Sequence, residues 1–374
     1  MADIRPEVIE SFQFQGTYTE GIPYGSGHIN DTFCVTFEEN GIPRRYILQR
    51  MNKTIFLNPE ELMENVTGVT KWLRKKILEK GGNPERETLN LVPTKEGNNF
   101  FVDQTGNYWR AYIFIEGAAT YDLVQNKEDF YQSAVAFGHF QGLLADYPAQ
   151  TLHETIVNFH NTIDRFAKFK KAVEEDVMGR AKDVQEEIQF VLDREALAHT
   201  LCDMQAEGKL PLRVTHNDTK LNNIMIDDET RKAICVIDLD TVMPGLAVND
   251  FGDSIRFGAS TAEEDEKDLS KVSCSMELFE LYTKGFIEGC QGSLTDTELE
   301  MLPIGAMTMT YECGMRFLTD YLEGDHYFKV HRDGHNLDRA RTQFTLVKDM
   351  ETKLETMNAI VKKYGFSKVV SSEV

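Results

Sequence analysis

The segment that most constrains the fold runs over residues 214–240 and reads V-T-H-N-D-T-K-L-N-N-I-M-I-D-D-E-T-R-K-A-I-C-V-I-D-L-D. Its first residues alternate between apolar and polar, as in a short strand that enters a loop. Beyond Asn223, two runs of β-forming residues flank the turn-forming residues 227–230. The segment therefore predicts a strand, a polar loop and a hairpin, and such a hairpin brings Asp238 back beside the loop that carries Asp218 and Asn223.

The polar residues of this loop and hairpin suit phosphoryl transfer. Asp218 stands five residues before Asn223 and twenty before Asp238. A carboxylate such as that of Asp218 can position an attacking hydroxyl and accept its proton. The oxygens of Asn223 and Asp238 are ligands that hold Mg²⁺ on nucleotide phosphates, and Asp240 is a further candidate ligand. An ordinary hairpin with an acidic turn is the alternative, and the combined pattern disfavours it.

At these residues the chain resembles the aminoglycoside phosphotransferase and choline kinase group, whose catalytic pattern is H-x-D-x-x-x-x-N followed by a strand ending in I-D. Further segments are similar to those of bacterial N-acetylhexosamine 1-kinases, namely P-Y-G-S-G-H-I-N-D-T-F, Y-I-L-Q-R-M-N, V-I-D-L-D-T-V-M-P-G, D-F-G-D-S-I-R-F-G-A-S and E-C-G-M-R-F-L-T-D-Y-L-E-G-D. The resemblance covers residues 24–362, nearly the whole chain. It implies an α+β, two-lobed, kinase-like fold of the aminoglycoside phosphotransferase type, with ATP as co-substrate and Mg²⁺ as cofactor. We expect a small antiparallel-sheet lobe over residues 1–116 that binds the nucleotide, and a larger, mainly helical catalytic lobe over residues 117–374.

A second acidic motif, Asp250-Phe251-Gly252, spells the triplet with which protein kinases bind Mg²⁺. It follows Asp218 by 32 residues, which is too far for a hairpin as short as this one, so Asp238 is the better candidate ligand. The resembling enzymes have an aspartate at this point that braces the catalytic loop. The resemblance therefore implies a structural role for Asp250.

A glycine-rich segment, Gly25-Ser26-Gly27, precedes a strand predicted over residues 33–37. Glycines let the backbone approach phosphates and turn its N–H groups toward them. A plain hairpin turn uses the same residues, and the position ahead of the other motifs favours nucleotide binding.

The next predicted strand, over residues 45–49, places Gln49 where protein kinases have a lysine. The resembling sugar kinases also have glutamine here. Arg50 is adjacent, but strand alternation turns it to the other face. Arg44, Arg45 and Lys53 are further candidates, and which cation, if any, contacts the β-phosphate is left open. Glu116, at the end of an apolar strand predicted over residues 109–115, is a candidate hinge residue for the nucleotide.

The resemblance also implies that His28, Arg316 and Tyr327 contact a sugar. Phe257, as an apolar wall, and Asn30 are further candidates for the substrate site. For His28 the alternative is an exposed turn residue. Arg316 stands four residues before Asp320, so a helical ion pair is its alternative. Arg256 is expected either to meet an acid or to act as an internal brace.

Composition limits the partners. The 374 residues carry a net charge of −21, which argues against nucleic acid and anionic membranes as partners. ATP is itself a polyanion, so Mg²⁺ and a few placed cations have to offset the repulsion locally. The six cysteines form no C-x-x-C pair, the first residues lack the apolar core of a signal peptide, and no apolar run approaches the ~20 residues of a membrane span. These features predict a soluble cytoplasmic protein with reduced thiols; they carry no prediction of its oligomeric state.

Together these patterns and the resemblance predict a kinase that uses ATP and Mg²⁺ to phosphorylate the anomeric hydroxyl of an N-acetylhexosamine, giving the sugar 1-phosphate. One alternative is a phosphotransferase for another small acceptor, such as a different hexose, an aminoglycoside or a choline-like amine. The other is a kinase-fold binder without catalysis. The presence of Asp218, Asn223 and Asp238 disfavours the binder, since binding alone does not require all three.

Overall fold

The structure is a computed structural model that describes residues 4–25, 29–121 and 126–366. The chain divides into two compact units. The first unit comprises the residues up to Thr120 together with Asp146–Val157 and Ile224–Met243. The second comprises Tyr121–Ala145, Asn158–Asn223 and the residues from Pro244 onward. The lobe boundary expected at residue 116 stays a prediction.

Strands and helices do not alternate regularly along the chain, because most strands precede most helices. The β-strands of the described residues are β1 (Thr17–Pro23), β2 (Asp31–Glu39), β3 (Ile42–Arg50), β4 (Phe101–Val102), β5 (Tyr108–Ile113), β6 (Ala118–Ala119), β7 (Arg213–Thr215), β8 (Ile224–Asp227), β9 (Ala233–Val236) and β10 (Met243–Gly245). The α-helices of the same residues are α1 (Pro6–Ser11), α2 (Pro59–Glu79), α3 (Pro84–Glu87), α4 (Lys127–Leu143), α5 (Thr162–Glu175), α6 (Gln185–Leu192), α7 (Glu195–Ala206), α8 (Ala247–Gly258), α9 (Met276–Cys290), α10 (Asp296–Glu323) and α11 (His335–Gly365). Among the described residues, no helix is both long and apolar enough to cross a lipid bilayer.

The first unit is built on an antiparallel sheet with the strand order β1-β2-β3-β5-β4. One face of the sheet is apolar, and buried residues such as Leu48 pack there. Gln49 pairs with Thr32 of β2 on one side and with Arg110 of β5 on the other. Because directly paired residues point to the same face of a sheet, these three polar side chains form a row on the face opposite Leu48. The strands predicted over 33–37 and 45–49 are confirmed, and the one predicted over 109–115 ends at Ile113.

Helix α2 joins later segments of the chain to the first unit. It begins after Asn58, whose side chain accepts the N–H of Glu61, as expected for an N-cap. The Asn65 side chain donates to the carbonyl oxygens of His153 (2.8 Å) and Val242 (3.0 Å) and accepts the N–H of His153 (2.8 Å). One buried amide therefore joins the two later segments of the first unit to this helix.

Strands β8 and β9 form the antiparallel hairpin that the sequence predicts, with β6 as a third strand. Asp227 closes the turn, because its Oδ1 accepts the N–H groups of Thr230 (2.7 Å) and Glu229 (3.1 Å). Arg86 Nη1 lies 3.0 Å from the other oxygen of Asp227. The bonds from Thr230, followed by the bond from Arg86, lower the pKa of Asp227 to about 2.

Helix α10 contacts α5, α8 and α11 in the second unit. It begins with a capping box, in which Thr295 Oγ1 accepts the N–H of Glu298 and the Glu298 carboxylate accepts the N–H of Thr295. Glu298 also forms a buried ion pair with Arg213 of β7, at 2.5 Å. The start of α10 is thereby fixed to the strand that leads into the loop containing Asp218.

The Asp250-Phe251-Gly252 triplet lies inside helix α8, which crosses α10 at two glycines. A Cβ added to Gly252 would stand 2.4 Å from the carbonyl oxygen of Gly305, and one added to Gly305 would stand 2.3 Å from that of Val248. Neither position therefore accepts a side chain unless the helices separate. Close helix packing accounts for the glycine of this triplet.

Candidate active site

The predicted catalytic base lies in a loop of the second unit, between β7 and the turn Leu221–Asn223. Lys220 Nζ lies 2.8 Å from Asp218 Oδ1. Asn223 Nδ2 donates to Asp218 Oδ2 at 3.1 Å and to the Asp218 carbonyl at 2.8 Å. Both carboxylate oxygens are thus held in a fixed direction, and the amide oxygen of Asn223 is turned away from Asp218.

Lys220 is a further candidate site residue, which the sequence pattern does not single out. Burial works against its charged form, but Asp218 and then Asp253 raise the pKa of Lys220. The ammonium group is therefore retained beside Asp218. The sequence contains a signal for this role, because a basic residue two positions after the proposed base can place positive charge near the reacting oxygen.

Asp250 braces this loop from helix α8. Its Oδ1 accepts the N–H of Asn217 (2.8 Å), and its Oδ2 accepts the N–H of His216 (2.8 Å) and Gln141 Nε2 (2.9 Å). Burial raises the pKa of Asp250, while these donors and the charge of His216 oppose the rise. Asn217 is held in the left-handed region, at φ 64°. These bonds agree with the structural role that the family resemblance implies for Asp250.

Asp253, one helical turn further along α8, is the second carboxylate behind the loop. Its Oδ2 accepts the N–H of Thr219 at 3.2 Å, and its Oδ1 accepts Arg256 Nη2 at 3.0 Å. Arg256 also meets Glu264 at 2.9 Å, so it pairs with acids and braces the loop at once. Burial raises the pKa of Asp253, but the charges of Arg256, Lys220 and His160 lower it overall.

The predicted metal ligands Asp238 and Asp240 belong to the first unit. Asp238 has left-handed backbone angles, φ 58° and ψ 60°, a conformation that aspartate tolerates better than most residues. Asp240 is buried, with Oδ1 2.5 Å from Arg110 Nη1 and with Oδ2 accepting Asn30 Nδ2 at 2.7 Å. Both oxygens of Asp240 are engaged within the protein, an arrangement that suits an anchor for the neighbouring Asp238. The metal role of Asp240 stays a prediction.

Arg110 is the functional candidate that the sequence reasoning missed in this unit. It is only 1% exposed, and its Nε donates to Gln49 Oε1 at 3.0 Å, while Gln49 Nε2 donates to Thr32 Oγ1 at 3.1 Å. Burial works against its charge, but Asp240, and more weakly Asp238, raise the pKa of Arg110. The glutamine at the usual lysine position therefore supports an arginine of the neighbouring strand. A charged residue inside the apolar run Y-W-R-A-Y-I was the signal.

The predicted nucleotide-binding residues are partly visible. Gly25 has a φ of +81°, a left-handed conformation that glycine adopts readily. Ser26 and Gly27 of that loop, and His28 after it, lie outside the described residues. Glu116 accepts Arg45 Nε at 2.9 Å, and the Arg45 guanidinium lies 3.9 Å from the centre of the Phe114 ring. Arg86 donates to the Glu116 carbonyl at 2.9 Å, and the nucleotide role of Glu116 stays a prediction.

Of the predicted sugar contacts, Arg316 and Tyr327 lie together in the second unit. Arg316 Nη2 lies 3.3 Å from the Tyr327 hydroxyl. The alternative ion pair is not formed, because Asp320 accepts the N–H groups of the segment 326–328 and Asn336 Nδ2 instead. Asp320 therefore holds the segment that carries Tyr327 near Arg316. Phe257 is on α8 and is 42% exposed.

Asn30, also predicted to contact the sugar, is engaged on both ends of its amide. Nδ2 donates to Asp240 at 2.7 Å, and Oδ1 accepts the N–H of Asn52 at 3.0 Å. These bonds give Asn30 a structural role in the first unit. Its predicted contact with a sugar is not tested by them and stays a prediction.

Comparisons with known proteins identify the family. The profile described as "Phosphotransferase enzyme family" matches residues 20–270, which include the catalytic loop and its hairpin. The chain belongs to this family. The phosphotransferase also resembles solved structures of the same fold: an aminoglycoside phosphotransferase from Alicyclobacillus acidocaldarius (12% identity, TM-score 0.64, 97% of this chain and 98% of that one), the microcompartment-associated aminopropanol kinase (13%, 0.53, 94% and 97%) and a choline kinase from Cryptosporidium parvum (15%, 0.51, 93% and 93%). The predicted α+β kinase-like fold is confirmed.

The donor set of this phosphotransferase fits Mg²⁺. No group of three or more His, Cys, Asp and Glu side chains in the described part of the chain is arranged to hold a metal ion. Mg²⁺ takes only one or two protein carboxylates and completes its shell with phosphate oxygens and waters. The amide oxygen of Asn223 and the carboxylate of Asp238 are each of a type that Mg²⁺ accepts, and their roles as metal ligands stay predictions.

Proposed function

We propose that this phosphotransferase transfers the γ-phosphoryl group of ATP to the anomeric hydroxyl of an N-acetylhexosamine, giving the sugar 1-phosphate and ADP. The observation that carries the proposal is the fixed carboxylate of Asp218, held by Lys220 and Asn223 in a loop that Asp250 braces. In the reaction a bond forms between the sugar oxygen and the γ-phosphorus, and the bond from that phosphorus to the bridging oxygen of ADP breaks.

The residues of the loop divide the work. Asp218 orients the acceptor hydroxyl and takes its proton, a contribution typically worth about 10²–10⁴-fold in rate. Lys220 supplies positive charge beside Asp218, in a chain whose net charge of −21 otherwise repels ATP. Asn223 and Asp238 would hold Mg²⁺, which when bound neutralises the phosphate oxygens.

The first unit is assigned to the nucleotide. The glycine-rich segment Gly25-Ser26-Gly27 would turn its N–H groups toward the phosphates. Glu116 would lie at the hinge, beside the adenine ring of ATP. Gln49 contributes no charge of its own. Gln49 instead holds the guanidinium group of Arg110 through a hydrogen bond. Arg110 in turn pairs with Asp240, and this ion pair fixes the backbone next to Asp238.

The acceptor is assigned to Arg316, Tyr327 and His28, with Phe257 as an apolar wall and Asn30 as a weaker candidate. Support comes from Arg316, which has the Tyr327 hydroxyl as a neighbour and forms no ion pair with Asp320. The aminopropanol and choline kinases of the same fold are named for amine acceptors, so an amino alcohol is the competing substrate. A cationic residue in the acceptor region disfavours it, because like charges repel.

The acceptor assignment is tested by ADP release with a panel of acceptors. We expect turnover with N-acetylglucosamine or N-acetylgalactosamine, a phosphorus NMR signal of a sugar 1-phosphate, and no turnover with choline or aminopropanol. A methyl glycoside, whose anomeric oxygen is capped, should not react. Phosphorylation of the methyl glycoside as fast as of the free sugar would show that a different hydroxyl is the acceptor.

The base assignment is tested by Asp218→Asn, which should lower kcat by about 10²–10⁴-fold and leave nucleotide binding intact. Asp228→Asn, in the exposed turn of the hairpin, is the matched control and should keep normal turnover. Near-normal turnover of folded Asp218→Asn would remove Asp218 from the mechanism.

A further inference from the structure

The loop between α8 and α9 in the second unit contains three successive acids, Glu263, Glu264 and Asp265. Glu263 is exposed, whereas Glu264 and Asp265 are partly buried. We refer to Glu264 and Asp265 as the acidic pair. Both members of the pair contact basic side chains that belong to other elements of the unit.

Glu264 shares its carboxylate between two arginines. Arg256 Nη1, from α8, donates to Glu264 Oε1 at 2.9 Å. Arg339 Nε, near the start of α11, lies 3.7 Å from Glu264 Oε2, within the range of an ion pair. The side chains of Arg256 and Arg339 are only 8% and 16% exposed, so solvent ions screen their charges little. One carboxylate therefore links α8 with α11.

The Arg256 end of this link leads to the base loop, which we define as residues 216–223. Arg256 Nε and Nη2 donate to Asp253 Oδ1 at 3.2 and 3.0 Å. Asp253 Oδ2 accepts the backbone N–H of Thr219 at 3.2 Å, and Thr219 directly follows the proposed base Asp218. The connection from the acidic pair to the base loop is therefore a continuous path of direct contacts.

The Arg339 end leads to residues 326–331, which we call the acceptor segment because it carries the proposed acceptor contact Tyr327. Arg339 Nη1 donates to the Lys329 carbonyl of this segment at 3.1 Å. The N–H groups at the start of the segment are held by Asp320. Arg339 therefore fixes the middle of a segment whose first residues are already bound to α10.

Asp265 holds the other end of the acceptor segment. Its Oδ2 lies 3.2 Å from Arg332 Nη2 and 3.0 Å from His335 Nε2. His335 Nδ1 accepts the N–H of His331 at 3.2 Å, so the proton of the neutral ring is on Nε2 and is donated to Asp265. The last residue of the acceptor segment is thus joined to the acidic pair through one imidazole ring.

We propose that the acidic pair aligns the base loop with the acceptor segment, so that Asp218 meets the acceptor hydroxyl in a reactive geometry. Glu264 and Asp265 are positioning residues, because they act through Arg256, Arg339 and His335. A misplacement of about 1 Å caused far from the chemistry can cost about 10²-fold in rate. The inference rests on the proposed function and extends it to a loop outside the proposed site.

The first test is Glu264→Gln, which keeps the shape of the side chain and removes its charge. Whichever way the amide is turned, its NH₂ group faces one of the two arginines, and both groups are donors. We expect kcat/KM for N-acetylglucosamine to fall about 10- to 100-fold, with the KM for ATP unchanged. Glu263→Gln removes the same charge at the adjacent exposed position and should keep wild-type kinetics.

Asp265→Asn tests the acceptor side alone and carries the test if Glu264→Gln does not fold. It loosens the acceptor segment and leaves the bonds from Arg256 to the base loop in place. It should therefore raise the KM for N-acetylglucosamine by a larger factor than it lowers kcat. An unchanged KM in folded Asp265→Asn would contradict the role of the acidic pair.

A double-mutant cycle asks whether Glu264 and Arg339 act as one unit. Members of one ion-pair network have non-additive effects, so Glu264→Gln combined with Arg339→Met should lose no more kcat/KM than the more damaging single variant. Fold losses that multiply in the double variant would show that the two residues act independently, and would overturn the proposed link.

Hydrogen exchange of the full chain without substrates separates this inference from the proposed function. Glu264→Gln should speed amide exchange in peptides from both the base loop and the acceptor segment, because their hydrogen bonds open more often, and Glu263→Gln should speed it in neither. Unchanged exchange in both segments, or wild-type kcat/KM in Glu264→Gln, overturns the inference. If wild type releases no ADP with N-acetylglucosamine while exchange in both segments still depends on Glu264, the link stands and the proposed acceptor is wrong.

Discussion

Arg110 of the first unit and two arginines of the second unit, Arg165 and Arg316, differ in what their guanidinium groups meet. In the first, Arg110 is 1% exposed and faces Asp240, itself 4% exposed, at 2.5 Å. In the second, Arg165 and Arg316 are half-buried, and within the described residues they meet a tyrosine hydroxyl, a backbone carbonyl and aromatic rings in place of a carboxylate. A buried charge with its counter-charge fixes the protein to itself. A half-buried charge without one is available to a ligand.

The difference arises from where the nearest carboxylate points. Asp240 gives its oxygens to Arg110 and Asn30, whereas Glu312 gives its oxygens to His160 and Thr162. Removing a charge from water is costly in either unit. The cost is offset within the protein at Arg110, and it is not fully offset at Arg165 and Arg316. Binding sites commonly contain such uncompensated groups, because function and stability make different demands on the same residue.

The largest effect expected from this comparison is that of Arg110→Met. The substitution leaves Asp240 buried without its counter-charge, which typically costs about 3–5 kcal/mol of unfolding free energy. Urea unfolding measures the loss. The exposed pair of Arg45 with Glu116, with side chains 40% and 59% exposed, is the matched control, and Arg45→Met should cost about 0–1 kcal/mol.

The double variant Arg110→Met with Asp240→Leu sharpens the same prediction. It removes both charges, so it should recover part of the stability that Arg110→Met loses. Equal losses for Arg110→Met and Arg45→Met would contradict the structural role that we assign to Arg110, because they would show that burial of the ion pair adds nothing.

A smaller effect is expected for Gln49→Lys, which restores the residue found at this position in protein kinases. The new ammonium group would lie beside Arg110, and Arg110 Nε would lose its acceptor. We expect a loss of about 1–3 kcal/mol in the free energy of unfolding, measured in urea. Gln104→Lys, at an exposed turn, adds the same charge and should have little effect. A stable and more active Gln49→Lys would contradict the support that we assign to Gln49.

The sequence predicts the local features well and the long-range ones poorly. The catalytic hairpin was predictable because β-formers and turn residues are adjacent in the chain, and β8 and β9 are found where expected. The role of Arg110 depends on the register that places it beside Gln49, 61 residues away. The contact of His160 with Glu312 joins residues 152 positions apart, next to α5 and on α10. Local periodicity carries no information on which residues meet over such distances.

Glu312→Gln tests how much the charge of the buried Glu312 carboxylate contributes to stability. Because the pKa of Glu312 is lowered in the folded state, its charge contributes stability that is fully present above the unfolded value of about 4.3. That contribution is lost as the pH falls through the lowered pKa. Wild type should therefore lose stability below about pH 4.3, and Glu312→Gln should lose less over the same window. Unfolding in urea at several pH values measures this, with the exposed Glu323→Gln of the same helix as control. Parallel pH profiles for wild type and Glu312→Gln would contradict the assignment.

The smallest effect on stability is expected for Arg316→Met, although this substitution should weaken binding of the sugar acceptor. Arg316→Met removes one of two like charges and breaks no ion pair within the described residues, so its unfolding free energy should stay within about 0.5 kcal/mol of wild type. Thermal unfolding measures this. The buried Arg213, which pairs with Glu298 at 2.5 Å, provides the contrast, since Arg213→Met should lower the free energy of unfolding severalfold more than Arg316→Met does. Added N-acetylglucosamine should raise the Tm of wild type and raise that of Arg316→Met less, because a ligand stabilises the folded state only as far as it binds. A large loss of stability in Arg316→Met would show that this arginine, like Arg110, stabilises the fold. It would then no longer support the assignment of Arg316 to the acceptor site.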